Sequence, residues 1–171
     1  MRLSQDIRCC VLVPVYNPGS TLRAVVLAAL ERCPDVLVVD DGSTDGGPAQ
    51  LADLPVTVIA QPANRGKGAA IRRGAGEARA MGFTHVIVMD ADGQHSADDL
   101  PAFFEAVRST PCALVIGARD FSVPNVPKSS RFGRRFSSFW MFVQTGLSVS
   151  DMQSGFRAYP LALLEAVPCS E

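Results

Sequence analysis

The chain lacks any uninterrupted apolar run of about 18 residues, the length a helix needs to cross a bilayer, so none of its 171 residues is expected to form a transmembrane span. The opening stretch, Met1 to Ile7, is too polar for the apolar region of a secretion signal. Contact with a membrane surface is not excluded by either absence. Charge of one sign is missing too: sixteen Lys and Arg face seventeen Asp and Glu, a net charge of −1. No global field draws nucleic acid or an anionic surface, no nucleic-acid partner is expected, and any charge that matters must be local. The five cysteines (Cys9, Cys10, Cys33, Cys112, Cys169) are odd in number and lack C-x-x-C spacing. They mostly lie in or beside apolar runs, as reduced core thiols do, which points to the cytoplasm. Internal repeats and low-complexity tracts are also absent.

What is present suits a single domain over 1–171, with 47% hydrophobic residues to build its core. Short β-branched runs recur at 9–16 (CCVLVPVY), 35–41 (DVLVVDD), 56–61 (VTVIAQ), 84–92 (THVIVMDAD) and 112–119 (CALVIGAR). Their near-continuous apolarity predicts strands covered on both faces. Between them, Gly19 or Ser20 can open a helix that Pro34 ends, Gly66–Met81 reads as a helix stopped by Gly82, and Ser96 caps a helix through DLPAFFEAVRS. Alternating strand and helix predicts an α/β fold, a mostly parallel Rossmann-like sheet with helices on both faces.

In such sheets ligands bind beyond the carboxyl ends of the strands. Those ends read Pro14-Val15-Tyr16-Asn17, Asp40-Asp41-Gly42-Ser43, Asp90-Ala91-Asp92-Gly93 and Gly117-Ala118-Arg119, so polar residues gather at one rim. On an extended strand Asp90 and Asp92 share a face while Ala91 points away. A hard divalent cation, Mg²⁺ or Mn²⁺, suits such a pair, with Gln94 and His95 available to supplement it. The alternative is a strand end that simply turns through polar residues. Asp40 or Asp41 can accept from a nucleotide base or ribose while Gly42 lets backbone approach the ligand; the alternative is an Asx turn before a capped helix. NRGKGAA (64–70) sets Arg65 and Lys67 at a helix start, which favours phosphate, but it lacks the third glycine of a dinucleotide fingerprint and follows the wrong strand. Arg119 ends a strand, and Arg157 lies among Asp151, Ser154 and Gly155; either arginine could equally be a solvated or paired side chain. Cys9 and Cys10 point to opposite faces and are assigned to packing, and His85 to structure. Taken together, acidic strand ends, a basic Gly-rich turn and a rim arginine suit a nucleoside diphosphate held through a divalent metal.

VPVYN, VVDDGSTD, NRGKGAA, MDADGQH, GAR and DMQSGFRAY, in this order from about Cys10 to Tyr159, resemble the family 2 glycosyltransferases of the GT-A fold, and within them the dolichyl- or polyprenyl-phosphate sugar transferase branch. The resemblance implies a GDP- or UDP-sugar donor, a Mg²⁺ or Mn²⁺ ion and inversion at the anomeric carbon. By motif position it implies that Pro14, Tyr16, Asp40 and Asp41 line the base and ribose, with Asn17 and Gly42 beside them, and that Lys67 is near the nucleotide. Asp90, Ala91, Asp92 and Gln94 would lie at the metal and diphosphate; Arg119, Ser154 and Arg157 toward the diphosphate and acceptor. Pro18 departs from the Glu that relatives often carry there. Relatives also continue beyond the SGFR segment, so the chain, ending at Glu171, is expected to be truncated at its C-terminus relative to them.

The expected acceptor is a polyprenyl or dolichyl phosphate or another lipid-linked group. A hydroxyl acceptor would need a base, for which Asp151 is the candidate. Arg131, Arg134 and Arg135 ahead of FSSFWMF suggest peripheral membrane contact through 131–147, with a core-packing helix as the alternative. The rival functions are a nucleotide-sugar binding module without transfer, a sugar nucleotidyltransferase, which would want a Gly-rich first-strand loop, and a Rossmann oxidoreductase, which would want the missing fingerprint.

Overall fold

The protein is described by a computed structural model over residues 6–118, 151 and 154–166. Its elements are β1 (Cys9–Val15), α1 (Leu22–Leu30), β2 (Val36–Asp40), β3 (Thr57–Ala60), α2 (Lys67–Ala80), β4 (His85–Val88), α3 (Leu100–Ser109), β5 (Val115–Ile116), β6 (Arg157–Pro160) and α4 (Leu161–Ala166). Short 3₁₀ turns at Gly47–Leu51 and Ala97–Asp99 lead away from β2 and into α3. The strands form a six-stranded sheet in the order β3-β2-β1-β4-β6-β5. β1, β2, β3 and β4 pair in parallel, and β6 runs antiparallel to both β4 and β5. The sheet is thus mostly parallel but mixed.

The layering follows from the two-residue period of a strand. Along β1, Val11, Val13 and Val15 enter one core with Leu22, Val26 and Ala29 of α1 and Leu100, Phe103 and Val107 of α3. Cys10 and Leu12 enter the other, with Ala70, Ala75 and Ala78 of α2 and Leu161 of α4. Both faces are covered, which is why these strands carry no polar alternation. Burial of a side chain such as Leu12, at 0% exposure, stabilises by about 2–3 kcal/mol. Helix α2 lies close on the sheet because its inner face is small: a Cβ at Gly74 would overlap Leu12 and come within 2.8 Å of Val39 Cγ2. Its far end stops as the sequence indicates, with Gly82 at φ 83°, its N–H on Arg79 O and Phe83 N–H on Ala78 O.

Two elements differ from expectation. The 112–119 run yields only Val115–Ile116 as strand, because Thr110 to Ala113 close a turn through Ala113 N–H to Thr110 O. Arg157–Pro160 forms β6, a strand too short and too mixed in polarity to announce itself.

Candidate active site

Parallel pairing sets the rim. With Val15 opposite Asp40 and Leu12 opposite Val88, the chain leaves β1 at Tyr16, β2 at Asp41 and β4 at Met89, all at one edge of the sheet. β6 runs the other way, so its first residue, Arg157, sits opposite Val88 at that same edge, and residues 151 and 154–156 arrive just ahead of it. An antiparallel strand thereby delivers the late SGFR segment to the exit of β4.

On the β1–β2 side, two loops are stitched together. Asn17, at φ 48°, donates its N–H to Ser43 Oγ (3.0 Å) and accepts Thr44 N–H on Oδ1 (2.8 Å), while Gly19 N–H reaches Asp45 Oδ2 (2.9 Å). Asp40 holds its own turn, accepting Ser43 N–H at 2.8 Å. Asp41, 2% exposed, accepts three protein donors: Gln61 Nε2 (2.9 Å) and Arg65 N–H (2.8 Å) on Oδ1, and Gly66 N–H (2.8 Å) on Oδ2. The carboxylate therefore fixes the turn that starts α2. Gly42 is needed for a similar reason: at φ 76°, a Cβ there would lie 2.7 Å from Ala63 C, so the close backbone approach is that of the chain itself. Between these parts lies a cavity of about 270 Å³ lined by Pro14, Tyr16, Asp41, Asn64 and Lys67. Tyr16 is 52% exposed at its edge, a ring free to face a planar ligand.

At the exit of β4 the strand stops at Val88, and Asp90 and Asp92 lie in the turn beyond it. Strand alternation therefore does not govern their orientation. Asp90 Oδ1 pairs with Lys67 Nζ at 2.5 Å, with the side chains 24% and 49% exposed. Asp92 is exposed and accepts Gln94 N–H at 2.9 Å, and Gly93 takes φ 76° to close the turn. Three supports were not legible in the sequence. His95 Nδ1 accepts Asp90 N–H (3.1 Å) while its ring stacks on Phe156 at 5.0 Å. Thr21 Oγ1 donates to Ala91 O (2.7 Å), tying α1 to the turn. Gly155 packs so closely that a Cβ would overlap Asp90 Oδ2 and lie 3.0 Å from Lys67 Nζ.

Ser154 and Asp151 are both 1% exposed, and Arg157 Nε donates to Ser154 O at 2.7 Å. Ser154 also lines a second cavity of about 620 Å³, with Gln94, His95, Phe103, Gly117 and Phe156. Arg119 and the 131–147 segment lie outside the described residues. Elsewhere His85 is buried and held by Thr84 Oγ1 (2.9 Å) and Pro111 O (2.8 Å).

A divalent cation fits this corner in chemistry. Among the described residues no cluster of three or more His, Cys, Asp or Glu side chains forms a closed metal cage. An open site with few carboxylates is what Mg²⁺ or Mn²⁺ accepts when phosphate oxygens complete the shell. The Lys67 ammonium beside Asp90 Oδ1 is a stand-in cation at that position, and the missing Cβ of Gly155 makes room for it.

A mixed α/β sheet with a carboxylate-bearing turn at the exit of its central strand is the framework of the GT-A glycosyltransferases. The comparisons narrow that class: residues 10–167 match Glycosyl transferase family 2, and the chain belongs to that family. It is 32% identical to an undecaprenyl-phosphate mannosyltransferase of Micrococcus luteus over 94% of this chain and 69% of that protein. It is also 32% identical to a polyprenol monophosphomannose synthase of Mycolicibacterium smegmatis over 95% of this chain and 65% of that one. The chain thus spans about two thirds of the length of these relatives. Among solved structures, glucosyl-3-phosphoglycerate synthase from Mycobacterium tuberculosis, in complex with Mn²⁺, UDP and glucosyl-3-phosphoglycerate, superposes with a TM-score of 0.70 at 19% identity. That match covers 95% of this chain and 60% of the other and establishes the shared fold.

Proposed function

We propose that this chain carries the donor half of an inverting transferase that moves a sugar from a GDP- or UDP-sugar to a polyprenyl or dolichyl phosphate, or another lipid-linked acceptor, with Mg²⁺ or Mn²⁺. The observation that carries the reading is the meeting at one rim of the 270 Å³ cavity beside Tyr16 and Asp41 with the Lys67–Asp90–Gly155 corner. A base and ribose would occupy the cavity, and the diphosphate would then lie over Lys67 and the Asp90–Asp92 turn. Asp90 and Asp92, with Gln94 adjoining, would hold the metal. The names of the relatives, an undecaprenyl-phosphate mannosyltransferase and a polyprenol monophosphomannose synthase, favour the lipid-phosphate acceptor.

Charge decides what the residues must do. As the bond from the sugar C1 to the diphosphate oxygen breaks and the acceptor oxygen bonds to C1 from the opposite face, negative charge collects on the departing diphosphate. A bound divalent ion supplies Lewis-acid neutralisation of that charge. Lys67 places an ammonium at the same group, and Arg119 and Arg157 are assigned to the diphosphate and acceptor side. A lipid phosphate, with a second pKa of about 6, arrives largely ionised at neutral pH, so no strong protein base is needed. Asp151 would serve a hydroxyl acceptor, although at 1% exposure it is buried rather than open at the rim. Among the described residues no helix is long and apolar enough to cross a membrane, and the lipid acceptor would be met peripherally, at the cytoplasmic face, through 131–147.

Calorimetry with UDP and GDP, each with and without Mn²⁺, tests the donor site. Tight binding is expected only when metal and nucleotide are present together, and Asp92→Ala should remove the metal dependence while leaving the fold intact. Nucleotide affinity indifferent to Mn²⁺, in wild type and variant alike, would refute the assignment; transfer from a panel of labelled nucleotide sugars onto polyprenyl phosphate then identifies the donor.

A further inference from the structure

The Lys67–Asp90 contact poses a problem for the site as just read: the carboxylate assigned to the metal already holds a cation. The ammonium stands 2.5 Å from Asp90 Oδ1, and Gly155 closes over both groups, leaving no space for a side chain there. A divalent ion bonded to the same carboxylate would lie within a few ångströms of that ammonium, and like charges at such separations repel appreciably even when solvent screens them. The two cations compete for one carboxylate.

The neighbouring geometry says where Lys67 can go. Backbone N–H groups at the start of a helix ordinarily attract phosphate, but those of Arg65 and Gly66 are already bonded to Asp41. The side chain of Lys67, the first residue of α2, borders the 270 Å³ cavity and is 49% exposed. An anion entering beside that cavity meets the ammonium.

Resting on the function proposed above, we propose that Lys67 is the resident counter-ion of Asp90, exchanged for the divalent metal when a nucleoside diphosphate arrives to take the ammonium. Metal alone must displace Lys67 with nothing to receive it. Nucleotide alone must draw Lys67 away and leave Asp90 without a cation. Together each ligand satisfies the group the other releases, so the two bind cooperatively, and by thermodynamic linkage the coupling is the same whichever binds first. The exchange also keeps free Mg²⁺ or Mn²⁺ from occupying the corner without donor.

The test is Mn²⁺ binding to the 171-residue chain with no nucleotide present, followed by electron paramagnetic resonance, for wild type, Lys67→Met and Lys67→Arg. Removing the competitor in Lys67→Met should tighten Mn²⁺ alone on the order of fivefold, the scale of a half-exposed ion pair, while Lys67→Arg stays near wild type. UDP or GDP without metal should bind more weakly to Lys67→Met, and the factor by which nucleotide improves Mn²⁺ affinity should shrink. Unchanged or weaker binding of Mn²⁺ alone by Lys67→Met, with nucleotide and metal still binding jointly to wild type, overturns the exchange and leaves the proposed function standing. If neither nucleotide binds wild type with or without Mn²⁺, the proposed function fails and the exchange falls with it.

Discussion

Asp40 and Asp41 stand side by side at the end of β2, yet their hydrogen bonds predict opposite responses to the same substitution. Asp41→Asn replaces one carboxylate oxygen with an amide NH₂ at a site 2% exposed, where Oδ1 accepts from Gln61 Nε2 and Arg65 N–H and Oδ2 from Gly66 N–H. In the better amide orientation the NH₂ faces the Gly66 N–H, donor against donor; in the other it faces two donors. Losing a charge-assisted hydrogen bond and leaving a buried donor unpaired costs about 2–4 kcal/mol. The carboxylate also sits before the N-terminus of α2, where its charge is worth about 0.3–1 kcal/mol more. At about 2–4 °C per kcal/mol for a chain of this size, the melting midpoint should fall by roughly 5–20 °C. Asp40→Asn keeps an oxygen able to accept the Ser43 N–H, the contact at 2.8 Å, so its melting point should stay within about 4 °C of wild type while nucleotide affinity falls. Far-UV circular dichroism melts and calorimetry with UDP or GDP read both quantities on the same samples. An Asp41→Asn protein melting within about 2 °C of wild type would refute the assignment of this carboxylate to the α2 turn.

Two further outcomes follow from charge and burial. Burial pushes the Cys9 thiol up to about 11 and raises Cys10 further still, while Cys112 is exposed. Mass-mapped iodoacetamide labelling of the native protein should therefore modify Cys112 and spare Cys9 and Cys10 until denaturant is added; early labelling of Cys10 would contradict its place in the core. Asp53 pairs with Arg23 at 2.6 Å, and the hydrogen bond from the guanidinium holds its carboxyl at about 2. Because the folded value lies below that of an unfolded Asp, the pair's small contribution is present above about pH 4 and fades as pH drops toward 2. Carboxyl NMR should show that low midpoint, and Arg23→Gln should return it toward about 4.

The parts of the fold that could be read from the sequence are those where one residue type has one physical use. Unbroken apolar runs demanded strands covered on both faces, and Val11 and Leu12 indeed enter different cores. Gly82 ended α2 because its φ of 83° is costly for any other residue. Ser96 does cap, through Asp98 N–H to its Oγ, but the cap begins the 3₁₀ turn that precedes α3. What stayed hidden were contacts set by topology alone. Nothing in the letters tells that β6 runs antiparallel and so brings Gly155 against Asp90, or that Thr21 reaches Ala91 across 70 positions.

The same distinction applies within the motifs. Read separately, DDGS and NRGKG each admit a ligand-binding turn, and Gly42 an approach of backbone to ligand. In three dimensions the two motifs bind one another: Asp41 caps the approach to Lys67, and Gly42 admits the 63–64 backbone. The residues left facing the rim are fewer than the motifs contain, chiefly Tyr16, Lys67, Asp90 and Asp92. Pairing Lys67 with Asp90 then links the turn at 64–67 to the turn at 90–93. Motif spacing locates such groups along the chain, whereas whether a group holds the scaffold or awaits a ligand depends on which other strand end the sheet order places beside it.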